Sequence, residues 1–199
     1  MGLSTWVVVL VKDFDSAKQR LGPALDPAER RKLARGNARR AIRAAAAGDR
    51  RLVVAGSEEA AALARKLGAD VLVEPRQEGQ NVAARRGIDY AVQNGAGAVL
   101  LMSSDLPLVT RKAVRDVLDV VSRLDAPAAV AVPAIGRGGT NALYLNPPDA
   151  LGLHFGADSL AAFEREAKQR GVGFVVLPSR AMALDLDEPA DLARARRAV

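Results

Sequence analysis

Leu100-Leu101-Met102-Ser103-Ser104-Asp105-Leu106-Pro107 is an apolar run that ends at an aspartate and is stopped by a proline. The run is continuous and does not alternate, the pattern of a strand buried on both faces of a parallel sheet. Working outward, valine- and leucine-rich runs at 6–11, 52–55, 71–73, 98–102, 128–132, 142–145, 174–177 and 182–184 read as strands separated mostly by segments of helical periodicity. This alternation predicts an α/β fold of three layers, α/β/α, around a mostly parallel, Rossmann-like sheet.

Helix starts are legible as well. Asp26-Pro27-Ala28-Glu29 supplies an N-cap carboxylate, a proline at the first helical position and a glutamate three residues past the cap. Ser57 and Thr110 read as further caps, and other helices are expected at about 81–93, 159–170 and 188–198. One connection breaks the pattern. Arg137-Gly138-Gly139-Thr140 joins two strand-like runs with no room for a helix, so an antiparallel excursion is expected, with one or two reversed strands near the sheet edge.

The 199 residues, 49% hydrophobic, suit one domain spanning 1–199. The absence of cysteine excludes disulfides, thiolate zinc sites and a cysteine nucleophile, and the single histidine, His154, excludes multi-histidine metal sites. A metal would be held by oxygen, which points to Mg²⁺ or Mn²⁺. His154, alone before a glycine turn, reads as a surface residue. The run at 6–11 is too short to span a bilayer and lacks a basic flank, so a cytoplasmic protein with no membrane role is expected. Much of the net charge of +6 comes from Arg30, Arg31, Lys32, Arg35, Arg39, Arg40 and Arg43, which lie opposite an apolar stripe of Leu33, Ala34, Ala38, Ala41, Ile42 and Ala45. That is a solvated helix face in preference to a polyanion patch, and 4% aromatic content argues against a nucleic-acid platform. A homodimer is the default assembly.

In open α/β sheets ligands bind at the carboxyl ends of the strands. Three segments fall there. Val11-Lys12-Asp13-Phe14-Asp15-Ser16-Ala17-Lys18-Gln19-Arg20-Leu21 leaves the first strand and places Lys12, Lys18 and Arg20 where a triphosphate could lie, without the glycine cradle of a P-loop. Asp105 can hold a cation against phosphates, or simply begin a loop. In Ala183-Leu184-Asp185-Leu186-Asp187-Glu188-Pro189-Ala190-Asp191-Leu192, an extended backbone would project Asp185 and Asp187 from one face, where two carboxylates forced together call for a cation. Alternatively, Asp187 only caps the final helix.

Taken together, these segments resemble the 2-phospho-L-lactate or phosphoenolpyruvate guanylyltransferases of coenzyme F-420 biosynthesis, in the superfamily of nucleotide-diphospho-sugar transferase-like folds. The likeness covers the whole chain, through Gly79-Gln80-Asn81-Val82-Ala83, Ser104-Asp105-Leu106-Pro107-Leu108, Gly139-Thr140-Asn141-Ala142-Leu143, Phe155-Gly156-Ala157-Asp158-Ser159 and the Asp185 to Leu192 ending. The resemblance implies that Asp105, Asp185 and Asp187 bind Mg²⁺ or Mn²⁺ and, with Lys18, carry catalysis. It implies that Thr140, Gly156 and Ser159 hold a phosphorylated carboxylic acid. Lys12, Lys18 and Arg20 would meet the phosphates of GTP, with Gly79 and Asn81 beside its base or ribose. Val11, Gln80 and Phe163 stand where relatives commonly carry proline, leucine and histidine. Two alternatives stay open: a related transferase using another nucleotide or acceptor, of cytidylyl or molybdopterin type, and a non-catalytic nucleotide-binding protein of the same fold.

Overall fold

Local capping chemistry sets the helices in the computed structural model, which describes residues 3–136 and 138–197. Asp26 accepts the Glu29 N–H at 2.8 Å while its own N–H donates to the Glu29 carboxylate at 2.9 Å, a reciprocal box that opens α1 (Pro27–Ala44). Ser57 caps α2 (Glu58–Lys66), Gly79 stands at the head of α3 (Gln80–Gln93) and Thr110 caps α4 (Arg111–Val121). The last two helices are α5 (Ser159–Arg170) and α6 (Pro189–Arg197). Arg137, in the glycine-rich connection, and Ala198, the expected helix end, lie outside the described residues.

Among the described residues, seven strands form one sheet: β1 (Thr5–Val11), β2 (Arg50–Ala55), β3 (Asp70–Val73), β4 (Ala98–Ser103), β5 (Ala128–Pro133), β6 (Thr140–Asn146) and β7 (Gly173–Val176). Their order is β3-β2-β1-β4-β6-β5-β7. β1 lies parallel to both β2 and β4, and its residues from Trp6 to Val11 are all buried. Val7, Val9 and Val11 pack with α1, α2 and α4 on one face, while Trp6, Val8 and Leu10 pack with α3 and α5 on the other. Burial on both faces explains why this strand and β4 read as unbroken apolar runs.

The antiparallel excursion is a single strand, and it is not near the edge. β6 runs against β4 and β5, whereas β7 is parallel to β5. The short connection forces β5 and β6 to pair directly, and β6, buried along nearly its whole length, is inserted between β4 and β5, two strands in from the edge.

The run at 182–184 is not a strand either. The Asn141 Nδ2 amide donates to the carbonyls of Met182 and Ala183 at 2.9 and 3.0 Å, and the Ile135 N–H donates to Ala183 at 2.9 Å. A side-chain amide thus does for these carbonyls what a ladder would have done. The apolar residues here, Met182 and Leu184, signal burial, not strand pairing.

The order places β2 on one side of β1 and β4 on the other. The strand order reverses at this point, and ligands of open α/β sheets bind in the crevice there, at the carboxyl ends of the strands. No helix among the described residues is long and apolar enough to cross a membrane.

Candidate active site

Lys18 lines that crevice. It follows β1 by a short loop and has left-handed backbone angles, φ 62° and ψ 28°, which cost a non-glycine residue about 1 kcal/mol or more. Its side chain is 1% exposed, and its ammonium meets Asp105 Oδ1 at 2.8 Å and the Leu186 carbonyl. A buried ammonium needs such partners, and they hold the strained turn in place.

The same contacts fix the C-terminal segment. The Leu186 N–H donates to the Asp105 carbonyl at 3.1 Å, so the buried Leu186 is gripped through both of its backbone groups between Lys18 and Asp105. Asp185 and Asp187 flank this pinned residue and both reach the wall of one cavity of about 660 Å³. Asp187 Oδ2 accepts Arg20 Nη1 at 2.9 Å across the crevice. The start of α6 is served by the buried Asp191, whose Oδ2 accepts the N–H groups of Asp187 and Glu188 at 3.1 and 2.9 Å.

The opposite wall comes from the glycine-rich connection and the start of α5. The Ser159 hydroxyl donates to Thr140 Oγ1 at 3.0 Å, and the Leu160 N–H donates to the Gly138 carbonyl at 3.0 Å. Asn81 ties α3 to this wall: its amide donates to the Phe155 carbonyl at 3.0 Å and accepts the Phe155 N–H at 2.8 Å. Gly79, with φ 100° and ψ 167°, has open space around the position of a Cβ, so it is the backbone conformation that selects glycine.

Lys12, Lys18, Arg20, Asp105, Thr140, Gly156, Asp185 and Asp187 all line the larger cavity. Gly79 lines an adjoining cavity of about 270 Å³, which shares Lys12, Gln80, Ser103 and Asp105 with the first. Ser159 is fully buried and stands behind Thr140, and the Asn81 amide is engaged by Phe155. These two residues shape the walls in the structure as it stands. Sequence reasoning passed over Glu74 and Gln77 in the smaller cavity, although Glu74, like Asp105, follows an apolar run and precedes a proline within two residues. It also assigned nothing to Asn141, a polar residue inside an apolar strand, where burial demands a partner.

A family model described as "Guanylyl transferase CofC like" matches residues 5–195. The chain belongs to this family. It is 41% identical to the phosphoenolpyruvate guanylyltransferase of Rubrobacter xylanophilus over 96% of its length and 93% of the relative's. To the 2-phospho-L-lactate guanylyltransferase of Methanothermobacter thermautotrophicus it is 34% identical, covering 96% of this chain and 83% of the other. A solved nucleotidyl transferase from the same genus superposes with a TM-score of 0.70 at 16% identity, over 98% of this chain and 97% of that one. The guanylyltransferase chain therefore has a nucleotidyltransferase fold, with its crevice where such sheets bind ligands.

Among the described residues no three carboxylates converge into a ready cation cage. The guanylyltransferase instead presents Asp105, Asp185 and Asp187 in the lining of the larger cavity, an all-oxygen set in which Asp105 is ion-paired with Lys18 and Asp187 with Arg20. Such a set fits Mg²⁺, which commonly takes one or two carboxylates and completes its shell with substrate phosphates and water.

Proposed function

We propose that this guanylyltransferase condenses GTP with a phosphorylated carboxylic acid, phosphoenolpyruvate in the first place, for coenzyme F-420 biosynthesis. A phosphate oxygen of the acid attacks the α-phosphorus of GTP. The bond from that phosphorus to the oxygen bridging to the β-phosphate breaks, and pyrophosphate leaves with the electron pair. The products are a guanosine diphosphate diester and pyrophosphate. The attacking phosphate is already ionised at neutral pH, so no general base is needed.

The observation that carries this reading is the Lys18 bridge, which joins Asp105 to the segment bearing Asp185 and Asp187 on the wall of one cavity. Lys12, Lys18 and Arg20 supply positive charge for the triphosphate, and Thr140, backed by Ser159, faces the acid beside Gly156. Asp105, Asp185 and Asp187 would hold Mg²⁺ or Mn²⁺, which when bound neutralises charge on the phosphates and favours in-line displacement. In this reading the enzyme works in the cytoplasm on small molecules, with no nucleic acid or membrane. The choice of acid follows the 41% identical relative.

The test is pyrophosphate release over a panel of GTP, ATP and CTP against phosphoenolpyruvate, 2-phospho-L-lactate and 3-phospho-D-glycerate with Mg²⁺. Release with GTP and phosphoenolpyruvate is expected. Release only with CTP, or only with a sugar phosphate as acceptor, would overturn the reading.

A further inference from the structure

The smaller cavity contains a carboxylate that the transfer chemistry does not use. Glu74 follows β3, its N–H donating to the Ala55 carbonyl at 2.9 Å, and its side chain is 6% exposed. Its Oε1 accepts Arg86 Nη1 at 2.9 Å, while Oε2 accepts no hydrogen bond from any described residue. Arg86 is itself anchored by Glu78 and by the Arg76 carbonyl at 3.0 Å, so Glu74 is held by a fixed partner. A carboxylate on a cavity wall with one oxygen unengaged by the described residues can accept a donor from a ligand. The cavity it lines also contains Gln77 and Gly79, and it opens past Lys12 and Asp105 into the larger one. A nucleotide with its phosphates at Lys12 can place its base against Glu74.

We propose that Glu74 selects the base by accepting the N1–H and the 2-amino N–H of guanine on its two oxygens. Each carboxylate oxygen offers two lone pairs, so Oε1 can serve Arg86 and the base together. Adenine and cytosine present a ring-nitrogen lone pair where guanine presents N1–H, and that lone pair would face the carboxylate. Xanthine keeps N1–H but replaces the amino group with a carbonyl. A site built around such a pair rejects bases that leave it unpaired. The inference rests on the guanylyl-transfer reading and identifies what chooses its nucleotide.

The experiment is equilibrium binding, without the acid, of GTP, inosine triphosphate and xanthosine triphosphate to the wild type and to Glu74→Gln. Inosine triphosphate, which lacks the amino group, should bind the wild type about tenfold or more weakly than GTP, the worth of one hydrogen bond to a charged group. Glu74→Gln exchanges an acceptor for a donor. Its GTP affinity should fall and its xanthosine triphosphate affinity rise until the preference inverts. Three results would overturn the proposal: no GTP binding by the wild type, equal wild-type affinity for GTP and inosine triphosphate, or an unchanged GTP-to-xanthosine ratio in a folded Glu74→Gln. If the variant does not fold, the wild-type comparison decides alone. A failure of the transfer reading shows up separately, as GTP binding with no pyrophosphate released by any acid.

Discussion

At the scale of single residues, Lys18 combines a left-handed backbone with a buried ammonium, two costs that a surface lysine would not bear. Lys18→Met should therefore lower kcat by about 100-fold or more, as the loss of one preorganised charge does. It should also lower stability by about 1–3 kcal/mol, because the Leu186 carbonyl and Asp105 lose their donor. Steady-state kinetics and urea unfolding read the two effects, and a kcat within threefold of wild type would leave Lys18 a structural residue only. The sequence marks the aspartates because a carboxylate ending an apolar strand is out of place anywhere but at a site or a cap. It could not mark Lys18 as buried, since its two partners come from Asp105 and from Leu186, 168 residues away in the chain. Nor could it show that the Asn81 amide is engaged by the Phe155 backbone, a contact across 74 residues.

At the scale of elements, α3 lies close over the central strands. A Cβ at Gly87 would come within 2.7 Å of Val8 Cγ1 and 2.9 Å of Val54 Cγ2, atoms of stiff β-branched side chains under the helix. Gly87→Ala raises helix propensity by about 1 kcal/mol, yet overpacking costs about 1–3 kcal/mol, so a small net loss of stability is expected. A rise in melting temperature would show that α3 can lift off the sheet without penalty. The caps at Asp26, Ser57 and Thr110 were legible because each depends on residues within one turn. The position of β6 was not, because a hairpin fixes its pairing with β5 but not the neighbour on its other side. The segment at 182–184 misled for a related reason: its apolar residues are buried, but its carbonyls bond to Asn141, whose partners no local pattern reveals.

At the scale of the whole molecule, stability should carry an acid limb from Glu166. Burial alone would raise its carboxyl, but the Gly152 N–H at 2.9 and 3.0 Å, His154 at 2.6 Å and Arg170 at 3.2 Å hold it below the ordinary 4.5. The unfolded chain then binds more protons in that range, so the contribution is complete near neutrality and is lost as pH falls through the depressed folded value. Glu166→Gln should be less stable than wild type at pH 7, and the gap should close as pH falls below the depressed folded value, as followed by urea unfolding across pH. A gap independent of pH would contradict a role for the ionised carboxylate. Guanylyl transfer in the crevice between β1 and β4 can be followed by ³¹P NMR of GTP and phosphoenolpyruvate with Mg²⁺, comparing wild type with Asp105→Asn. Wild type should form pyrophosphate and a new diphosphate diester in equal amounts, and Asp105→Asn should form them about 100-fold more slowly or worse. Pyrophosphate without the diester, or undiminished turnover by Asp105→Asn, would contradict transfer at this site.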